Sequence, residues 1–268
     1  MKAHLATGGG VRGGALHAAL FVGETFTGFN AKDYDLICGD SYGAFYAAMT
    51  ANGWSARKQI SVFLNTDIEK ELRRYDSLLV KFLPWEQRKL AMVRANIKLK
   101  GLAEYLDSLG LNWPESLIIT CTDSMNNTQI AACSGKRPAW AIDTPLVKTV
   151  WVENALEKAT IGTWITRSMA LPGLEADDLR YMDAGVIEHP PMSFLPLDAE
   201  ILCINLGYAG DVAGWEQKVP KNIEDRLAYC YERAADTRQD LFFERYPNTH
   251  TICPEVFTVD SMRSESVV

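Results

Sequence analysis

The sequence predicts an α/β fold with a central, mostly parallel sheet. Three observations predict it. Short apolar runs of strand length alternate with segments of helical length. A glycine-rich loop follows the first apolar run and leads directly into a helical segment. A tight Gly39-Asp40-Ser41-Tyr42-Gly43 turn joins the second apolar run to the next helical segment.

The elements follow in order. Residues 3–7 read as a short strand, 8–14 as the glycine-rich loop and 15 to about 26 as a helix. Residues 34–38 (Tyr-Asp-Leu-Ile-Cys) form a short buried strand, 39–43 the turn, and 44–49 the opening of a second helix. Residues 55–110 are helix-rich and carry no strand signal. Strand character returns at 117–122 (Leu-Ile-Ile-Thr-Cys-Thr), and Asn126-Asn127 turns the chain into a hairpin partner at 128–133. Residues 154–169 read as a helix that stops before Pro172. Residues 179–182 lead into Asp183, 200–206 form another apolar strand, and 222–246 form a long helical stretch of mixed charge. There is no internal repeat, low-complexity tract or interdomain linker. The expectation is one domain over residues 1–260 with a frayed tail at 261–268.

The chain has 268 residues, enough for one sizeable α/β core. Its 47% hydrophobic and 23% charged residues are those of a globular protein. The net charge of −7 argues against nucleic acid as a partner, because duplex affinity rests on neutralising phosphates. No apolar run approaches the roughly 18 residues of a membrane span. The N-terminus shows no apolar signal-peptide region, and the expected location is cytoplasmic. The six cysteines (Cys38, Cys121, Cys133, Cys203, Cys230 and Cys253) form no CxxC pair, so they read as small core residues in a reducing compartment, without a metal site.

Charge is unevenly spread. Residues 57–100 hold eleven Lys/Arg against five Asp/Glu, a local balance of +6 that leaves −13 on the remainder. One reading is a solvated helical face. The other is a lid or membrane-facing segment that touches anionic lipid peripherally. Leu90, Val93 and Ile97 fall at helical spacing, with Trp85 as an interfacial aromatic, but the same residues serve equally as core.

Three short signals carry chemistry. Ser41 sits in a G-x-S-x-G turn between strand and helix, with Gly39 and Gly43 as the small flanks such an elbow needs. The helix behind it offers unpaired N–H groups and the positive end of its dipole. Upstream, Gly8-Gly9-Gly10-Val11-Arg12-Gly13 lets the backbone approach a ligand closely, as an oxyanion hole requires. No Gly-Lys-Ser/Thr follows, which excludes a Walker loop, and the spacing fails the dinucleotide fingerprint. Arg12 either holds a substrate phosphate or braces the loop. Asp183-Ala184-Gly185 places a carboxylate at a strand end, where it either reaches a serine hydroxyl or merely starts a turn.

Together these motifs resemble the patatin-like phospholipase family, of bacterial or viral type, over nearly the whole chain. Residues 8–13 match its G-G-G-x-R-G loop, 39–43 its G-x-S-x-G elbow, and Asp183-Ala184-Gly185 its D-G-G or D-G-A motif. Residues 168–173 (Ser-Met-Ala-Leu-Pro-Gly) match the small-residue stretch before the Asp. Ala184 replaces a glycine, and Glu188-His189-Pro190 stands where the family has Asn-x-Pro. The resemblance implies a three-layer α/β/α fold and hydrolysis of fatty-acyl esters of phospholipids. It implies a Ser41–Asp183 dyad without histidine, an oxyanion held by the N–H groups of Gly9 to Val11, and no metal or cofactor. Three alternatives stay open. One is an α/β-hydrolase triad using His189 or His250, both of which follow Asp183. The second is a non-catalytic binding protein, and the third an acyltransferase. His4 and His17 read as structural, and His189 as either a substrate-side or merely solvated residue.

Overall fold

The computed structural model describes residues 1–8, 13–66, 97–142, 147–170, 174–206 and 243–253. In chain order the elements are β1 (Lys2–Ala6), α1 (Gly14–Val22), β2 (Leu36–Gly39), α2 (Tyr42–Ala51), α3 (Ala56–Asn65), β3 (Ile97–Lys98) and α4 (Lys100–Ser108). They continue with β4 (Leu117–Asp123), β5 (Thr128–Cys133), β6 (Thr149–Val152), α5 (Ile161–Ser168), β7 (Leu174–Glu175), β8 (Tyr181–Met182), β9 (Glu200–Ile204) and β10 (Thr249–Ile252).

The central sheet runs β10-β9-β1-β2-β4-β5-β6, with β8 added on β4. β10, β9, β1, β2 and β4 run parallel to one another, and β6 is parallel to β5. Only β5 and β8 run antiparallel to β4. This is an α/β fold with a mostly parallel sheet and flanking helices. β2, β4 and β5 are buried throughout, because both of their faces are covered. Alternate side chains therefore enter two cores. Ile37, Leu117 and Ile119 meet α1, α2, α4 and α5 on one face, through Leu16, Phe45, Leu106 and Trp164. Leu5, Cys38 and Ile118 meet Met192, Phe194, Leu195 and Tyr246 on the other. The long helical stretch expected at 222–246 lies outside the described residues up to 242, as does the tail at 261–268.

One feature of β4 decides where the site forms. β5 occupies one of its edges from Ile118 to Asp123. β2 and β8 must therefore share the other edge. β2 ends with Gly39 opposite Ile119, and β8 begins further along with Tyr181 opposite Asp123 and Met182 opposite Thr122. Being antiparallel to β4, β8 runs back toward the end of β2. The residues that follow each strand, Asp40-Ser41 and Asp183, are thereby brought head to head.

Three expectations need correction. The segment 55–110 contains a strand after all: β3 pairs with β7 in a separate two-stranded ribbon. Two residues are too few to show an alternating pattern, and the pairing is non-local. The helix expected at 154–169 begins only at Ile161. The Thr160 hydroxyl caps it by accepting from the Thr163 N–H (3.2 Å), and Ala155–Glu157 form a separate short 3-10 turn that starts after Asn154, whose backbone is left-handed. β6 is an additional strand that completes the sheet beyond β5. Most of the basic segment, with Trp85, Leu90 and Val93, lies outside the described residues. Among those described, no helix is long and apolar enough to cross a membrane.

Candidate active site

The elbow is built by close packing. Ser41 has φ 53° and ψ −130°, a conformation that side-chain-bearing residues rarely adopt. It is held there because β2 and α2 pack without clearance. A Cβ on Gly39 would lie 2.1 Å from the Gly43 carbonyl oxygen, and one on Gly43 would lie 2.2 Å from that of Ala6. Nine of the ten residues of α2 are buried, so the N-terminus behind Ser41 sits in a water-poor environment. Gly43→Ala is therefore expected to destabilise the fold by about 3 kcal/mol or more, since the clash is with backbone and no side chain can give way. Urea denaturation reads this directly, and a wild-type midpoint would mean that β1 and α2 separate without cost.

Ser41 itself is partly accessible. Its N–H donates to the Ser168 hydroxyl (2.9 Å) at the end of α5, within the small-residue stretch singled out in the sequence. Gly8 lies directly against it, for a Cβ there would stand 2.2 Å from Ser41 Cβ and 2.9 Å from Oγ. Gly13 starts α1 against the Tyr42 ring. Gly9, Gly10, Val11 and Arg12 lie outside the described residues.

Asp183 is fastened from both sides. Its N–H donates to the Ala170 carbonyl (2.8 Å), and its own carbonyl accepts from the Thr122 hydroxyl on β4 (2.9 Å). Carboxylate Oδ1 accepts from the Gly185 N–H (2.8 Å), which shapes the following turn. The replacement of glycine by Ala184 is accommodated, because Ala184 is buried in an ordinary short helical turn. Oδ2 is buried and makes no well-formed hydrogen bond among the described residues. The Ser41 hydroxyl is near enough to this carboxylate to favour its charged form. Burial and the nearby Asp40 push the Asp183 pKa up to about 7, against the opposing influence of Ser41, the Gly185 N–H and His189.

The structure also brings Asp40 and His189 together at the elbow. Asp40, wholly buried, accepts from His189 Nδ1 (2.6 Å) and from the Gly8 N–H (3.3 Å) on the same oxygen, Oδ2. His189 is therefore not a solvated residue but half of a buried pair at the elbow. Asp40 was visible as the charged residue inside G-x-S-x-G. His189 is visible in the sequence as a candidate triad base, but its pairing with Asp40 has no local signal, because the two lie 149 residues apart.

The other histidines are engaged elsewhere. His17 contacts Gln59 and the Tyr42 hydroxyl (both 3.0 Å), and His4 contacts the Leu202 carbonyl (3.2 Å) and the Tyr46 hydroxyl (3.0 Å). Burial lowers both pKa values to about 4, so both rings are neutral. His250 sits exposed on β10, with β9 and β1 between it and the elbow strand. Glu188 is buried and turned away from Ser41, accepting from the N–H groups of Met192 (2.8 Å) and Ser193 (2.6 Å). Cys38, Cys121, Cys133 and Cys203 are buried thiols, while Cys253 is exposed. Among the described residues, no His/Cys/Asp/Glu cluster is arranged to hold a metal ion.

No protein-family model matches the chain, and no curated protein matches it significantly. Similar solved structures exist at low identity. Full-length ExoU from the type III secretion system of Pseudomonas aeruginosa, in complex with SpcU, is 15% identical, with a TM-score of 0.39 over 92% of this chain and 53% of that one. VipD from Legionella pneumophila is 14% identical, with a TM-score of 0.45 over 81% and 52%. A second structure of the type III effector ExoU is 18% identical, with a TM-score of 0.41 over 99% and 50%. The chain thus spans about half the length of these proteins.

Proposed function

We propose that the chain is a serine acyl hydrolase of the patatin-like phospholipase kind, cleaving fatty-acyl esters of lipids through a Ser41–Asp183 dyad. One observation carries this reading: an accessible serine in a strained elbow faces a buried carboxylate whose pKa lies at about 7. A carboxylate near its ordinary pKa of about 3.9 is a poor base at neutral pH, whereas one near 7 is matched to proton transfer there.

In the proposed cycle Asp183 takes the Ser41 proton as Oγ attacks the ester carbonyl. The oxyanion is held by backbone N–H groups of Gly9 to Val11, with Gly8 keeping the loop's entrance close to the serine. Asp183 returns the proton to the departing alcohol and then deprotonates the water that hydrolyses the acyl-enzyme. The cycle closes on the chain's own residues, without metal or cofactor. A phospholipid substrate follows from the family resemblance of the motifs. Peripheral contact with anionic membrane through residues 57–100 belongs to the same proposal.

A fluorophosphonate probe tests the nucleophile. It is expected to add once, on the peptide that contains Ser41, and to stop hydrolysis of a short-chain p-nitrophenyl ester in parallel. Labelling elsewhere, or none, overturns the dyad. Mass spectrometry of anionic phospholipid vesicles treated with the protein is expected to show free fatty acid and lysolipid, and their absence would remove lipid from the substrate class.

A further inference from the structure

Asp40 poses an unusual problem for a site of this kind. A wholly buried carboxylate is costly to ionise unless paired. Here it immediately precedes the proposed nucleophile, while Asp183 stands on the other side. Two carboxylates thus flank one serine, and the Asp40 charge makes Asp183 harder to ionise. His189 Nδ1, 2.6 Å from Asp40 Oδ2, supplies the one compensating imidazole.

The same pair ties three segments together. Asp40 Oδ2 also receives the N–H of Gly8, the first residue of the glycine loop. Asp40 belongs to the elbow, and its own N–H donates to the Ala6 carbonyl at the end of β1 (3.2 Å). His189 lies on the loop that starts at Asp183. One oxygen therefore joins the entrance of the glycine loop, the elbow and the Asp183 loop.

We propose that the hydrogen-bonded Asp40–His189 pair is the positioning element of the dyad: it clamps the three segments together and, by engaging Asp40, leaves Asp183 as the carboxylate that accepts the serine proton. This inference rests on the Ser41–Asp183 reading above.

The surroundings leave these charges to act on one another. Cys38 on β2, Cys121 on β4 and Cys203 on β9 are thiols held protonated by burial. Glu188 faces the backbone of Met192 and Ser193. Asp123 is paired with Arg180, and Arg167 with Asp177. Arg12 lies outside the described residues. Among the described groups, those that bear on Asp183 as charges are Asp40, which raises its pKa, and His189, which lowers it.

The test is the pH dependence of kcat/KM for a p-nitrophenyl ester, with fluorophosphonate labelling rates, in Asp40→Asn, His189→Gln, the double variant and Asp183→Asn. Removing the Asp40 charge is expected to move the acid limb down by about one pH unit, and removing the imidazole to move it up by about as much. The double variant is expected to lie between them. A purely structural role predicts a lower melting temperature in both single variants with the limb unmoved, and that result overturns the proposal. If His189→Gln does not fold, Asp40→Asn alone still tests the coupling. Asp183→Asn decides the underlying reading separately. If it labels at the wild-type rate while His189→Gln is not labelled at any pH, histidine is the base and both readings fall. If Asp183→Asn is inactive and the limbs do not move, only the clamp is lost.

Discussion

Ser41→Gly is expected to abolish turnover and to make the protein more stable. The two effects have different origins. Loss of the hydroxyl removes the proposed nucleophile, which in serine hydrolases lowers kcat on the order of 10⁶-fold. The gain comes from the backbone. At φ 53° and ψ −130° a residue with a Cβ is strained, and such strain costs of order 1–3 kcal/mol. Glycine adopts this conformation freely but loses more entropy on folding, about 0.5–1 kcal/mol. The net expectation is a gain of about 1 kcal/mol, or about 2–4 °C in melting temperature for a chain of this size. Ser41→Ala provides the control, since it is equally inactive but keeps the strain. A melting temperature for Ser41→Gly at or below that of Ser41→Ala would mean that the elbow stores no strain.

The parts of the site differ in how far local sequence reveals them, and the difference is physical. The glycine loop and the elbow are contiguous, so their residue types report their own backbone requirements. Gly39 and Gly43 have no room for a Cβ, and Gly8 has none because Ser41 fills the space. Asp183 is another matter. Its place depends on a two-residue strand landing on the edge of β4 that β2 vacates, a pairing set by tertiary contacts and invisible to periodicity. Its motif could be recognised only by family resemblance. The pairing of His189 with Asp40 is legible neither way, although His189 itself stands out as a candidate triad base, because the two residues are distant in sequence. β3 and β7 are not legible in the sequence for the same physical reason: strands of two residues exist by virtue of their partners.

Asp183→Asn separates the proposed catalytic role of the carboxylate from its cost to the fold. Loss of a general base typically lowers the rate about 10²–10⁴-fold, and both kcat/KM and fluorophosphonate labelling are expected to fall within that range. In the wild type the acid limb of kcat/KM is expected near pH 7, where Asp183 loses its proton, rather than near pH 4. Stability should move the opposite way. The carboxyl has a folded pKa of about 7 against an ordinary 3.8, so the native state holds a proton that the unfolded chain releases in that window. Stability from this group is complete below pH 3.8 and falls as pH rises through 7. Asparagine removes the titration while keeping an oxygen for the Gly185 N–H. The variant is therefore expected to match the wild type near pH 3.5 and to exceed it at pH 8, by at most about 4 kcal/mol from the three-unit shift. Equal denaturation midpoints at both pH values would show that Asp183 is not strained toward neutrality. Retained activity would show that it is not the base. Together with the Ser41→Gly result, this pattern would mark both halves of the dyad as residues held in unfavourable states, one in backbone conformation and the other in charge, by the meeting of β2 and β8 on a single strand edge.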